Sequence, residues 1–152
     1  LLGDIRSSAP YWERFKLEIF SYIRQFGMPT WFLTLSSDEL EWLDFHMVFH
    51  KRNGNDDFNE EAFKNYKKNE KLKNLHNDPV FAAEHFERRL NSFIKYVLKS
   101  NFHPLGKINQ YISKIEFHLR GSPHAHLELW VKDTQMFASN PSRFEKKIIE
   151  FF

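Results

Sequence analysis

Lys114-Ile115-Glu116-Phe117-His118-Leu119-Arg120-Gly121-Ser122-Pro123-His124-Ala125-His126-Leu127-Glu128-Leu129 reads as two strands joined by a turn. From Tyr111 the apolar period is two. Ile115, Phe117 and Leu119 alternate with Lys114, Glu116, His118 and Arg120. Beyond Gly121-Ser122-Pro123, Ala125, Leu127 and Leu129 alternate with His124, His126 and Glu128. Such alternation describes a hairpin with one apolar and one polar face. Residues directly opposite in an antiparallel pair share a face, so an odd-length turn gathers the even-numbered polar side chains of both strands. A three-residue loop sets His118 opposite His126, and a five-residue loop sets Glu116 there. An even-length loop would drive charged side chains into the core, which is costly.

Glu116, His118, His124 and His126 therefore converge on one face. Imidazoles with a carboxylate suit a divalent transition ion such as Mn, Co, Ni or Zn, and Mg less well. The competing explanation is an exposed polar strand face that happens to carry histidines. His-x-His with two further donors opposite it favours the metal. His46 and His50 stand four apart on a second helix, a spacing that can also bind metal. No carboxylate motif accompanies them, so partly buried structural residues are expected. His76, His85 and His103 carry no signal.

Size and composition bound the rest. The 152 residues suit one domain, 1–152, burying roughly 70% of the unfolded surface. The 17 Phe, 5 Tyr and 4 Trp supply the apolar bulk of a core. No apolar run is long enough for a membrane span. The absence of cysteine removes disulfides, zinc-thiolate sites and thiol catalysis. A net charge of +2 is too small to argue for nucleic acid alone. Lys64, Lys67, Lys68, Lys71 and Lys73 cluster, but Glu60, Glu61 and Glu70 flank them, as on a solvated helix face. The chain begins at Leu1 and ends in the apolar, helix-like Ile148-Ile149-Glu150-Phe151-Phe152. Both ends are expected to be cut from something longer.

Outside the hairpin, Ser7-Ser8-Ala9-Pro10 caps a helix with Trp12, Phe15, Ile19, Tyr22, Ile23 and Phe26 on one stripe and Gly27 at its end. Thr30–Leu35 is a short buried strand. Ser36 and Glu39 fit a capping box opening a helix toward His50. Lys51 to Asp57 is a connector, and Phe58 to Asn74 a weakly amphipathic helix. Asp78-Pro79 starts a stronger helix to about Ser100 that buries Phe81, Phe86, Leu90, Phe93, Ile94 and Val97. Pro104-Leu105-Gly106 is a turn, Lys132 to Pro141 a loop, and a last helix starts near Ser142. The strands are Thr30–Leu35, Tyr111–Leu119 and His124–Val131. The fold class is α+β, a central antiparallel sheet flanked by helices.

At these residues the chain resembles the HUH single-strand endonucleases, named for His-hydrophobic-His, here His124-Ala125-His126. Thr30-Trp31-Phe32-Leu33-Thr34-Leu35-Ser36 is similar to the first motif of rolling-circle replication initiators. The fullest likeness is to the N-terminal domain of Helitron-like transposases. Tyr11-Trp12 lies near the start, Gly27 to Ser36 fits Gly-x-Pro-Thr-x-Phe-x-Thr-Leu-Ser, an Asp-Pro helix follows at Asp78-Pro79, and Glu116 to His126 fits the last block. The family usually carries Gln at the position of His118, so this chain offers four candidate ligands in place of three. In viral initiators with a similar arrangement the Glu completes the metal triad. That ranks Glu116 with His124 and His126, leaving His118 as competitor or outer partner.

The resemblance implies a ferredoxin-like core and a divalent metal ion as cofactor, Mn or Mg first, with Zn, Co or Ni as alternatives. It implies single-stranded DNA as partner, a helicase domain in the full-length polypeptide, a nuclear location, and no membrane. The family chemistry is transesterification, a tyrosine hydroxyl attacking the scissile phosphate to leave a 5′-phosphotyrosine and a free 3′-hydroxyl. Trp31, Thr34, Lys114, Arg120 and Lys132, on or beside the site strands, are candidate DNA contacts. Helitron transposases carry a tyrosine pair after the His motif, whereas no tyrosine follows Tyr111 here. The expected nucleophile thus lies outside this chain. The alternatives are a catalytically dead or domesticated single-stranded DNA-binding module, and a structural metal site in an interaction domain.

Overall fold

In a computed structural model of the chain, residues 8–117 and 122–132 are described, together with the backbone of Lys147 and Ile148. The order is α1 (Ala9–Phe26), β1 (Trp31–Ser36), α2 (Leu43–Arg52), α3 (Glu60–Lys64), α4 (Lys68–Asn77), α5 (Pro79–Phe93), β2 (Ile108–Phe117), β3 (Pro123–Val131) and β4 (Lys147–Ile148). The strands lie in the order β2-β3-β1-β4. β3 pairs antiparallel with both β2 and β1, and β4 pairs parallel with β1. This is the helix-flanked sheet of an α+β fold, antiparallel through β1, β2 and β3. The expected helix start near Ser142 lies outside the described residues. Lys147 and Ile148 are strand rather than helix, because they pair with Leu33 and Thr34.

Strand alternation assigns the two faces. Leu33, Leu35, Ala125, Leu127 and Leu129 are buried in one core with Trp42, Phe45, Phe49, Phe81, Phe86, Leu90, Phe93 and Leu98 from the helical side. Each buried Leu or Phe side chain among them contributes about 1.5–3 kcal/mol. The opposite face carries the polar set and is roofed by α1. Ser8 Oγ caps α1 by accepting from the Tyr11 amide, and Gly27 ends it with φ 78°. Trp130 anchors that end, its indole N–H donating to the Gly27 carbonyl at 2.8 Å. The expected stripe from Trp12 to Phe26 faces the sheet but is only half-buried.

Four local expectations are corrected. Ser36 and Glu39 form no capping box, since Ser36 continues β1 opposite His124. Sheet pairing outcompetes the local cap; the Glu39 carboxylate instead accepts from Ser37 and Ser122 hydroxyls, and α2 starts at Leu43. The helix expected from Phe58 to Asn74 is two helices. Asn59 caps α3, and the Glu70 carboxylate accepts from the Lys67 amide to begin α4. Val97 is exposed and Leu98 buried. After Phe93 the helix widens to a π-turn over Ile94–Leu98, and one extra residue per turn rotates the next apolar position inward. Lys71 is not solvated: it is 7% exposed, its ammonium 3.0 Å from Glu41 Oε2 and 4.0 Å from the Phe63 ring. Its aliphatic stem is buried while the charge reaches a partner.

The turn expected at Pro104-Leu105-Gly106 closes with the Gly106 amide donating to His103 O at 2.8 Å. Gly106 has φ 93°, and a Cβ there would collide with the Val131 side chain. Glycine therefore lets the start of β2 lie against the end of β3.

Candidate metal centre

The β2–β3 register pairs Glu116 with His124, Lys114 with His126 and Phe117 with Pro123. The paired Phe117 and Pro123 are separated by an odd number of residues, but the pairing is shifted from both expected ones. Pro123 joins the sheet as the first residue of β3, where the lack of an N–H is tolerated, and its carbonyl accepts from the Ser37 amide at 3.2 Å. Parity is unchanged by that shift, so the polar face forms as expected with Glu116 beside His124 instead of opposite His126. On the other side β3 pairs with β1, setting Thr34 opposite His126 and Ser36 opposite His124.

Three donors converge. Glu116 Oε2 lies 3.6 Å from His124 Nε2 and 3.5 Å from His126 Nε2, and one atom of each residue falls within 4.8 Å of the others. Donors about 2.1 Å from one ion at tetrahedral angles stand roughly 3.4 Å apart, so this set fits a divalent ion. His124 is 8% exposed, and its ring stands perpendicular to that of His126 at 4.9 Å. The strand backbone thus presents both imidazoles toward one carboxylate.

Neighbours orient the donors. Thr34 Oγ1 shares a hydrogen bond with His126 Nδ1 at 3.1 Å, leaving Nε2 turned to Glu116. The Phe32 ring stacks on His126 at 5.5 Å. Lys114 donates to Glu116 and lies 3.8 Å from the Trp12 ring of α1. That hydrogen bond holds the Glu116 carboxyl below the usual carboxylate range, with the charges of Lys114, His126 and His124 adding to it against partial burial. Glu116 is therefore ionised at neutral pH, as a ligand must be. Farther along β3, burial pushes the Glu128 carboxyl up.

The remaining site residues are dispersed. Trp31 stands on the opposite, apolar face, packed against the core, and its indole N–H donates to Leu105 O at 3.2 Å. Lys132 is exposed at the far end of β3, where its amide donates to Lys107 O. His118 and Arg120 lie outside the described residues. Sequence reasoning passed over Phe32 and the use of Thr34 to orient His126. Their signal was parity: even numbers in β1 share the face of even numbers in β3. His46 and His50 are structural, as expected. His46 is fully buried with Nδ1 3.3 Å from Asn74 Nδ2, and His50 Nε2 lies 3.2 Å from Tyr66 Oη. His85 Nε2 lies 3.2 Å from Asp44 Oδ2. Among the described residues no helix is long and apolar enough to cross a membrane.

No curated protein and no solved structure matches the chain. A family model does, over residues 1–129, a span that includes the first strand, the roofing helix and both histidines of the candidate centre. The chain therefore belongs to the family described as the Helitron helicase-like domain at N-terminus.

Proposed function

We propose that the chain is the metal-binding part of a single-strand endonuclease domain of a Helitron-like transposase, which binds single-stranded DNA and contributes to nicking it. The observation that carries this reading is the convergence of Glu116, His124 and His126 in a chain of this family. A divalent ion bound by these residues supplies Lewis-acid polarisation of a phosphodiester and neutralises charge building on it. Glu116 offers an ionised carboxylate, His124 and His126 offer Nε2, and Thr34 holds the His126 ring in place. Lys114 adds a cation for the DNA backbone. Tyr11, Tyr22, Tyr66, Tyr96 and Tyr111 all precede the His motif, and Tyr66 is engaged with His50 and Asn74. The proposed nick takes its nucleophile from a tyrosine outside these 152 residues. The full-length protein then works in the nucleus beside its helicase domain.

The test has two stages. Single-stranded oligonucleotides raise the melting temperature of the chain in Mn²⁺ if this is a DNA-binding site. A melting temperature that falls in EDTA but ignores DNA would identify a structural metal site instead. The full-length protein should then yield a metal-dependent nick and a covalent protein–DNA adduct on a denaturing gel. Binding without either product would leave a DNA-binding module.

A further inference from the structure

At the end of the sheet away from the metal centre, the chain from the π-turn to Gly106 meets the end of β3 in one corner. Lys132 marks it, its amide donating to Lys107 O at 2.7 Å. His124 opens β3 and Lys132 follows it, so at about 3.3 Å per residue the corner lies roughly 26 Å from the centre. Three observations set this surface apart. Between Glu87 and Glu116 the chain has no acidic residue, while Lys95, Lys99, Lys107 and Lys132 are all exposed. None of these four ammonium groups is in an ion pair among the described residues. Two large rings stand in solvent among them, Phe102 at 93% exposure and Tyr96 at 66%. The backbone carrying Phe102 is also fixed. His103 takes φ 44°, uncommon outside glycine, and the amides of Ser100, His103 and Gly106 donate in succession to the carbonyls of Val97, Ser100 and His103. A hydrogen-bonded turn thus holds outward a phenyl ring that the core does not take.

We propose that this corner is a second binding surface for single-stranded nucleic acid, separate from the metal centre and independent of any metal. Phe102 and Tyr96 stack on unpaired bases, and the lysines meet the phosphates between them. Cations that follow a backbone, combined with rings that take base faces, hold single strands without sequence preference. The Lys95 ammonium lies 4.8 Å from the Tyr96 ring, so a phosphate and its base can be met side by side. A duplex keeps its base faces stacked inside and offers this corner only phosphates. An acidic peptide has carboxylates for the lysines but no succession of flat faces for the rings. Lys99 stands between the two rings in the chain, whereas a bilayer calls for one continuous apolar face. The net charge of +2 conceals this concentration of cations, which supplies affinity and makes it salt-dependent.

Fluorescence anisotropy with a dT oligonucleotide of about twelve nucleotides, in EDTA so that the metal centre takes no part, tests it. The chain should bind, and Phe102→Ala should weaken binding about tenfold, the share of one stacked base. Lys99→Gln and Lys107→Gln should each lower the slope of log affinity against log salt by about 0.7. Phe102→Ala should keep the melting temperature of the unaltered chain and its rise in Mn²⁺, because the ring lies outside the core. Glu116→Gln should bind the oligonucleotide in EDTA as the unaltered chain does, so failure of the metal reading leaves this one standing. Unchanged affinity and salt slope in all three corner variants would put the strand elsewhere and overturn the proposal. Equal affinity for a dA·dT duplex, which needs no stacking, would overturn it too. So would binding to phosphatidylserine–phosphatidylcholine vesicles, lost in Phe102→Ala, without binding to the oligonucleotide.

Discussion

The molecule holds two histidine pairs that turned out as opposites. His124 and His126 lie two apart on a strand, on the sheet face away from the main core, with an ionised carboxylate 3.5–3.6 Å away. His46 and His50 lie four apart on a helix, among Asn74, Tyr66 and Phe58. In the helical pair the partners are neutral amide and phenol groups, and Lys71 adds a positive charge nearby. A cation has nothing to gain there. Histidine spacing alone therefore decides little; an anionic donor and an open side decide whether imidazoles gather a metal or fill a core.

The largest effect belongs to the helical pair. Burial, with the Lys71 charge adding to it, pushes His46 down to about 4 from an ordinary 6.5. Between those values the unfolded chain binds a proton that the folded chain refuses, so stability falls as pH drops from 6.5 toward 4. The full difference is roughly 3 kcal/mol. Denaturant titrations at pH 7 and pH 4 should show it, and His46→Gln should remove it; an unchanged pH dependence in that variant would place the acid sensitivity elsewhere.

Next comes the strand pair. Mn²⁺ at a hundred times its Kd should stabilise the chain by about 2.7 kcal/mol. His124→Ala and Glu116→Gln should each abolish the rise in melting temperature, while His46→Gln keeps it. If His46→Gln erased the rise as well, the contrast between the pairs would be broken. Thr34→Val should weaken Mn²⁺ binding about tenfold by freeing the His126 ring, and Thr34→Ser should restore it in calorimetry. Equal affinities for both variants would deny Thr34 any orienting role.

The smallest change sharpens the centre's charge balance. Lys114→Met removes the ammonium that competes for Glu116, so Mn²⁺ should bind a few-fold more tightly at pH 7. The Glu116 carboxyl rises toward its ordinary range in the same variant, so metal binding is lost at a higher pH on acidification. A weaker affinity at pH 7 would mean that Lys114 holds Glu116 in place more than it competes.

Strand parity made most of the site legible. Alternation from Tyr111 onward assigned Glu116, His124 and His126 to one face without any knowledge of the loop length. Parity also shows why Trp31 stands apart: it is odd-numbered with Leu33 and Leu35 and packs with them on the core side. Register was not legible, because it depends on Pro123 entering the sheet and on the Ser37 amide reaching its carbonyl, a contact between segments far apart in sequence. The broken capping box at Ser36 has the same origin. Lys71 was misread as solvated for another reason: its partner Glu41 lies 30 residues away, beyond any local charge pattern. The π-turn at Ile94–Leu98 left no mark in an apolar run that fits an α-helix equally well.

No residue of α1 is fully buried, although the helix covers the face that carries the candidate centre. It is held by Trp130 at one end, by the Tyr22 ring tilted against that indole at 5.4 Å and by Lys114 against Trp12. The core of Phe45, Phe86 and Leu127 lies on the other side of the sheet and does not depend on it. Local opening of α1 thus costs far less than global unfolding, and its amide hydrogens should exchange with solvent well before those of β1 and β3. The candidate centre thus sits between a part of the fold that can detach and a part that cannot, so its exposure to solvent is set by the stability of α1 rather than by that of the core.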